Sequence, residues 1–339
     1  MKSRQFSGFL LCALIFTATA LLVDSAGASN TRTQNISLHR GWNAVFLQVT
    51  PDNLDPAVVF SNMPVAIVAT YLAVDKPIQY IKSPGEAQWN KEGWGVWYSA
   101  RRPDAFLSSL RAVNGNRAYL IQAQQDCVWS ITGAVIFEKT RWKSDSFNLV
   151  GFGVDDSAPP TFDQFFSGSS AHQPARIYRL NGDLWTLVNN PVQVTMRSGE
   201  ACWVYCAGSS EYQGPLQLQL SHSRDVTFGN TGDASVVMVN QSTDPMNIRV
   251  DTVASDIGVP LAYTVTGITP GAMALSSYDL PASYNMQPLD PGQKTALWLK
   301  LRRERMTAGV QTTLLKITTD NGAQLWVPVV GDRADLATQ

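Results

Sequence analysis

The chain reads Leu-His-Arg-Gly-Trp-Asn-Ala-Val-Phe-Leu-Gln-Val at 38–49 and Ser-Phe-Asn-Leu-Val-Gly-Phe-Gly-Val at 146–154. Each stretch places an aromatic residue and an asparagine directly before an alternating run of apolar side chains. Alternation with a period of two is typical of a β-strand that buries one face. Because the same opening occurs twice in one chain, the sequence predicts an internal duplication.

The two segments continue in the same order after this opening. A polar stretch and an apolar pair follow in each, Val59-Phe60 and Phe165-Phe166, and indicate one short helix after the first strand. A tyrosine-bearing strand, a tryptophan-bearing strand and an alanine-led strand come next in both. The matched residues are Tyr71 with Tyr178, Trp97 with Trp185, and Ala118 with Ala201. We therefore predict two β-rich modules with short helices, at 36–133 and 134–221, which could pack as one unit.

The remaining chain has a different pattern. From about Val226, about seven short alternating runs are separated by turn residues, as in a β-sandwich of the immunoglobulin type. Asp320-Asn321-Gly322 predicts a tight hairpin because Asn and Gly tolerate positive φ. Pro328 suggests that the last strand lies at a sheet edge, since proline cannot donate to a ladder. We assign residues 222–331 to this sandwich and 332–339 to a tail.

Gly41-Trp42-Asn43 resembles the opening of the "GWN" modules of bacterial envelope and secreted proteins. The resemblance covers residues 36–220 in two copies, and the second copy departs from it with Phe147 in place of tryptophan. Leu289-Asp290-Pro291-Gly292-Gln293 and the late Val327-Pro328-Val329 are similar to stretches of bacterial Ig-like domains. These resemblances imply a mainly β fold of modules and a sandwich. They imply no activity.

The N-terminus has the pattern of a secretory signal peptide. Lys2 and Arg4 precede an apolar run, and Ala26-Gly27-Ala28 supplies the small residues that a signal peptidase requires. We predict a signal peptide at 1–28, a linker at 29–35, and a periplasmic, cell-surface or extracellular location. No later apolar run approaches the ~20 residues of a membrane span, so none is expected after cleavage.

Composition favours folded domains. Hydrophobic residues make up 45% of the chain and charged residues 16%, with a formal net charge of −1. This balance gives no reason to expect a nucleic-acid partner. After the predicted cleavage three cysteines remain, Cys127, Cys202 and Cys206, too few for a disulfide scaffold. We interpret them as small buried hydrophobes, although Cys127 could pair with one of the others.

The chain carries no linear catalytic or metal-binding motif. Its histidines, His39, His172 and His222, are not spaced as metal ligands, and we expect them at the surface or at strand ends. The acidic pairs Asp52 with Asp55 and Asp155-Asp156 suit turns and helix caps. We therefore predict a protein that is not an enzyme and has no catalytic residues, cofactor or metal.

The first module contains an inserted segment between Tyr71 and Trp97, with Tyr80, Trp89 and Trp94. The second module runs from Tyr178 to Trp185 almost directly. The tryptophans of the shared framework are expected in the core: Trp42, Trp97, Trp185 and Trp203. Large aromatic residues on a loop either pack on their own module or contact a partner. We name Tyr80, Trp89 and Trp94 as candidate ligand contacts and leave both alternatives open.

These observations predict a non-enzymatic, exported module protein that acts in scaffolding or adhesion. The first alternative is a carbohydrate-binding protein that uses the inserted aromatic residues. The second is an enzyme whose cleft has no linear signature. The expected partner is a polysaccharide or a surface protein, and the oligomeric state is left open.

Overall fold

The computed structural model describes residues 30–72, 93–222, 224–253, 257–269 and 272–333, and the side chains among them except those of 266–269 and 272–274. The predicted fold class is confirmed, since the described chain is mainly β, with antiparallel sheets and a C-terminal β-sandwich. The predicted signal peptide and most of the predicted tail lie outside the described residues.

The first module is built around a four-stranded antiparallel sheet. Its elements are β1 (Thr31–Leu38), β2 (Gly41–Leu47), α1 (Pro56–Val59), β3 (Val65–Tyr71), β4 (Trp94–Tyr98), β5 (Arg117–Ala123) and β6 (Cys127–Ala134). The sheet has the order β2-β5-β3-β4, while β1 and β6 pair separately as a two-stranded ribbon. The predicted linker at 29–35 therefore belongs largely to β1, because its alternating side chains bury Gln34 and Ile36 against the module.

The second module repeats this topology. Its elements are β7 (Ser146–Gly151), α2 (Phe162–Phe166), β8 (Ile177–Asn181), β9 (Leu184–Leu187) and β10 (Ala201–Cys206). The sheet order is β7-β10-β8-β9. In both sheets the strand that comes last in the chain, β5 or β10, lies between the first and the second strand of the sheet. Each first strand is followed by one short helix, as predicted. This shared strand order supports the duplication expected from the sequence.

The asparagine of each opening motif fixes the turn before its strand. The amide of Asn43 accepts from the N–H of His39 at 2.9 Å and donates to the carbonyls of His39 and Gly41. Asn148 accepts from the N–H of Lys143 at 2.7 Å and donates to the carbonyls of Lys143 and Ser146. The N–H and C=O groups of a turn have no partner strand to bond with, so a side chain must supply their hydrogen bonds. The asparagine amide, which both donates and accepts, does this in each motif.

The two sheets pack face to face through their aromatic residues. On β10, Trp203 points to the first module while Cys202 and Val204 point to the opposite face, as the pleat of a strand requires. The shared core also contains Trp42, Leu120 and Trp185. All four framework tryptophans are buried, as predicted: Trp42, Trp97, Trp185 and Trp203. The modules thus form one packed unit.

The C-terminal sandwich has two five-stranded sheets. Its strands are β11 (Leu216–Leu220), β12 (Val226–Thr227), β13 (Asp233–Asn240), β14 (Ile248–Val253), β15 (Leu261–Thr269), β16 (Ala272–Asp279), β17 (Ser283–Asn285), β18 (Lys294–Leu301), β19 (Val310–Thr319) and β20 (Gln324–Asp332). The sheet orders are β11-β13-β18-β15-β16 and β12-β20-β19-β14-β17. The predicted hairpin joins β19 to β20, with Gly322 at φ +82°.

Three sequence expectations differ from this sandwich. The strand at 216–220, assigned to the second module, pairs with β13 because Leu216 and Leu218 are buried in the sandwich core. Among the described residues, the sandwich therefore begins before residue 222 and has ten strands rather than about seven. The last strand is not a free edge along its length, since β12 pairs in parallel with Val329 and Val330, directly after Pro328.

Backbone contacts join the second module to the sandwich. The N–H of Gln324 donates to the carbonyl of Gly153 at 3.1 Å, and the N–H of Asp155 donates to the carbonyl of Gly322 at 2.9 Å. A Cβ on Gly153 would lie 1.9 Å from the carbonyl oxygen of Gln324. Only glycine allows two backbones to approach this closely. We call this contact the module–sandwich seam.

Candidate functional site

Of the three predicted contact residues, Tyr80 and Trp89 lie outside the described residues. Trp94 is the first residue of β4 and pairs with Tyr71, although the sequence placed it in a loop. Its ring lies edge-on to Tyr71 at 5.4 Å and to Trp203 of the second module at 6.4 Å between centroids. Trp94 is half-buried and contributes to packing between the modules.

A cleft of about 370 Å³ opens beside this aromatic group, where the two modules meet. One wall is the turn before β5, and the other is β7, the first strand of the second module. Residues 135–145, which connect the two modules and which we call the linking segment, form the remaining side of the cleft. We call it the intermodule cleft, and its lining includes Tyr71, Asn116, Phe147 and Thr140. A smaller hollow of about 90 Å³ adjoins it toward the sandwich.

Basic side chains surround the intermodule cleft. Arg117, Lys139, Arg141 and Lys143 line it, and Glu138 is its acidic lining residue within the described chain. A second hollow of about 560 Å³ shares three of these residues and adds His222 and Arg224. We call the cationic residues of the two hollows the basic strip: Arg117, Lys139, Arg141, Lys143 and Arg224.

Main-chain hydrogen bonds hold the linking segment in place. The N–H of Phe137 donates to the carbonyl of Arg224 at 3.1 Å. Thr140 donates its N–H to Oε1 of Gln213 at 2.6 Å and accepts from Nε2 of the same residue at 3.0 Å. Since the backbone is fixed on both sides, the exposed side chains of Lys139 and Arg141 project from a defined position.

A second cleft lies in the equivalent position on the other side of the module pair. It has a volume of about 570 Å³ and is formed by β2, the first strand of module 1, and the turn before β10. The turns before β5 and β10 are equivalent. Asn116 and Gly199 each stand two residues before the matched alanine, and both have a positive φ, +52° and +71°. We call it the opposite cleft, and its construction exchanges the roles of the two modules.

The two clefts differ in charge. In the opposite cleft, Glu200 forms an ion pair with Arg179 at 2.7 Å and lies 3.8 Å from Arg197. Burial raises the pKa of Glu200, and the charges of Arg179 and Arg197 oppose this shift. The negative charge of Glu200 is thus compensated within the protein. Among the described residues, Arg40 and Arg197 line the opposite cleft beside Glu200, whereas four cations and one acid line the intermodule cleft, so the excess of cations is larger in the intermodule cleft.

Sequence analysis missed the basic strip because its members are distant along the chain. The available signal was local: Lys139, Arg141 and Lys143 are three cations in five positions of a chain with few charges. The contributions of Arg117 and Arg224 depend on the fold, since the strand β5 and the start of the sandwich bring them to the same side.

His172 is buried, contrary to the surface position expected from the sequence. Its ring lies 4.1 Å from Trp142 and 5.1 Å from Phe166 between centroids, and Nδ1 is 2.7 Å from Oγ of Ser169. Only 2% of His172 and 6% of Ser169 are exposed, so this pair is closed to a substrate. Burial lowers the pKa of His172 to about 4. Its role is therefore packing in the core of the second module.

Acid should destabilise the protein through His172. The folded-state pKa lies below the value of about 6.5 expected in the unfolded chain, so the unfolded state binds the proton more readily. Stability is therefore lost as the pH falls below about 6.5, and this loss ends near pH 4. Between pH 6 and pH 4.5, we expect the unfolding free energy to decrease by about 2 kcal/mol.

Urea denaturation across this range measures the effect. His172→Gln should flatten the pH dependence, because glutamine does not titrate, while His39→Gln at an exposed position should retain it. An equal pH dependence in all three proteins would assign the acid sensitivity to other groups.

Among the described residues, no group of three or more His, Cys, Asp or Glu side chains is arranged to hold a metal ion. Cys127, Cys202 and Cys206 are free thiols; Cys202 and Cys206 are buried, as predicted, whereas Cys127 is half-buried. In the part of the chain that the structure describes, no helix has the length and hydrophobicity to cross a membrane.

No known protein family and no curated protein matches the sequence. Solved structures share only weak similarity. The PapD-like domain 7 of human CEP192 has a TM-score of 0.23 and 11% identity, covering 36% of this chain and 86% of that domain. The secreted serine protease VesC of Vibrio cholerae has a TM-score of 0.23 and 11% identity, covering 83% of this chain and 70% of the protease. Escherichia coli alpha-2-macroglobulin has a TM-score of 0.23 and 11% identity, covering 90% of this chain and 33% of its own. These scores are too low to transfer a function.

Proposed function

We propose that this protein is a non-enzymatic, exported cell-surface or extracellular protein that acts in scaffolding or adhesion. It holds its partner at the intermodule cleft. The observation that carries this proposal is the composition of the cleft, which both modules and the linking segment build together. Binding sites are commonly concave and lie between packed units.

The rigid connection of the three units supports a scaffolding role. The modules share one aromatic core, and the module–sandwich seam joins the second module to the sandwich by backbone hydrogen bonds. A partner held in the cleft is therefore held at a fixed position relative to the sandwich.

Carbohydrate binding is the second candidate function. The cleft combines the ring of Tyr71 with the polar side chains of Asn116 and Thr140, a mixture suited to sugar rings with apolar faces and hydroxyl edges. The predicted contacts Tyr80 and Trp89 lie outside the described residues, so this candidate rests on the described lining of the cleft.

A steric block of the cleft tests the proposal. In a Cys127→Ser background, Lys139→Cys is coupled to a polyethylene glycol chain, and Arg101→Cys with the same chain serves as the control. Both positions are exposed, but only Lys139 lines the cleft. We expect the unblocked mature protein, from Ser29, to sediment with cell-envelope preparations or insoluble polysaccharides.

The block at position 139 should abolish this sedimentation, and the block at position 101 should leave it unchanged. Failure of the unblocked protein to bind any surface would contradict the proposal. Equal binding by both blocked proteins would show that the contact surface lies elsewhere.

A further inference from the structure

We propose that the intermodule cleft and the hollow of about 560 Å³ that shares Lys139 and Arg141 with it bind an acidic polysaccharide, one that carries carboxylate or sulfate groups. This inference rests on the proposed function, because it names the chemistry of the partner held at the same cleft. Three features of the surface favour such a ligand: its charge, the hydrogen-bonding capacity of its cations and the shape of the two hollows.

Positive charge is concentrated at this surface, although the chain as a whole is nearly neutral. The whole protein has a formal net charge of −1, yet among the described residues the two hollows are lined by the five cations of the basic strip and by one acid, Glu138. Within the described residues, Arg117, Lys139, Arg141 and Arg224 form no ion pair, although Arg179 and Arg302 do so elsewhere. Adjacent like charges repel one another, and a bound polyanion relieves that repulsion.

The identity of the cations favours carboxylate or sulfate. Three of the five are arginines, whose planar guanidinium donates two parallel hydrogen bonds to such groups. Arg141, on the linking segment, and Arg224, at the start of the sandwich, are exposed and line the same hollow. Gln213 and the carbonyl of Arg224 fix the backbone of the linking segment, so the site need not fold around a ligand, which reduces the entropy lost on binding.

The shape of the surface favours a polysaccharide over nucleic acid or a bilayer. Hollows of about 370 and 560 Å³ accommodate sugar-sized units, and a recessed cleft does not fit a flat bilayer. Single-stranded nucleic acid is usually held by aromatic faces on which bases stack. In this cleft Phe147 is packed edge-on by Tyr178 at 5.5 Å and Tyr205 at 5.2 Å, and Tyr71 packs on Trp94 at 5.4 Å and Trp203 at 5.8 Å, so both rings already contact other rings of the protein.

The opposite cleft provides an internal comparison. It is built from equivalent elements and is larger, at about 570 Å³ against about 370 Å³, but its Glu200 is paired with Arg179 and lies near Arg197. A recess between the modules alone therefore does not distinguish the two sites. The larger excess of cations distinguishes the intermodule cleft. We therefore expect an acidic ligand to bind there rather than in the opposite cleft.

Charge reversal tests this inference. The variant Lys139→Glu with Arg141→Glu changes two exposed members of the basic strip. The matched control, Arg40→Glu with Arg101→Glu, makes the same change in total charge at exposed positions outside the strip. The probes are heparin, alginate, neutral dextran, a single-stranded DNA oligonucleotide and phosphatidylglycerol vesicles. Circular dichroism and thermal unfolding confirm that both variants fold.

We expect the full mature protein to bind heparin or alginate but not dextran, with affinity that falls as salt is added. The double variant should bind the acidic polysaccharide at least about tenfold more weakly, and the control should stay within about twofold of the parent. Equal effects in both variants, or no binding to either acidic polysaccharide, would overturn the inference. Binding of DNA or vesicles at equal or higher affinity, with the same sensitivity, would assign the strip to those partners instead.

The steric block separates this inference from the proposed function. If the block at position 139 abolishes binding to envelopes while heparin and alginate are not bound, the cleft remains the contact surface and only its ligand class is wrong. If acidic polysaccharides are bound but the block has no effect on envelope binding, the proposed function fails.

Discussion

Trp203→Ala should lower the free energy of unfolding by about 4 kcal/mol, as expected for a large aromatic side chain removed from a closed core. Trp203 is fully buried and lies at the centre of the shared core of the two modules. Its ring is 5.8 Å from Tyr71, 6.4 Å from Trp94 and 6.3 Å from Trp185 between centroids. The cavity would therefore open on both modules and weaken the walls of the intermodule cleft.

Guanidinium denaturation of the mature protein measures this loss. Trp298→Ala is the matched control, because Trp298 is 57% exposed on the sandwich and its removal should change stability by less than about 0.5 kcal/mol. Equal stability of the two variants would show that the modules do not depend on a common core.

Gly153→Ala should destabilise the protein by about 3 kcal/mol, at the upper end for overpacking, because the added methyl group meets backbone rather than a movable side chain. The new Cβ would lie 1.9 Å from the carbonyl oxygen of Gln324. The module–sandwich seam must then separate, and the hydrogen bond from Gln324 to Gly153 is lost. We also expect the Gln324 amide to exchange with solvent much faster.

Denaturation together with hydrogen exchange at Gln324 checks this expectation. Gly229→Ala provides the control, since no atom lies within 4 Å of the position of its Cβ. Retained protection of Gln324 in Gly153→Ala would mean that the seam tolerates the methyl group and is not a close backbone contact.

Local patterns predicted most strands of the two modules, although not β1 or the start of β4, and the reason is visible in particular residues. The alternation around Trp42 and around Trp203 depends only on which side of a strand faces a core. The turn at Gly322 depends on a few residues that must adopt a positive φ. Such features are set within a few positions of the chain, so the sequence contains them directly.

Strand partners and burial could not be predicted in the same way. The strands β6 and β11 have ordinary alternating patterns, but their partners, β1 and β13, are chosen by distant packing. His172 becomes buried because Trp142 from the linking segment and Phe166 from α2 enclose it. The candidate site has the same origin, since Arg117 joins Lys139 and Arg141 only after folding.

The shared strand order of the two modules has a further consequence, for how such a site can evolve. In a symmetric dimer of identical subunits, every substitution occurs twice and changes both equivalent surfaces together. Here both halves belong to one polypeptide, so a mutation at Arg117 alters one cleft and a mutation at Glu200 alters the other. Selection can therefore act on one half for affinity while the other half preserves the interface, an independence that a homodimer lacks.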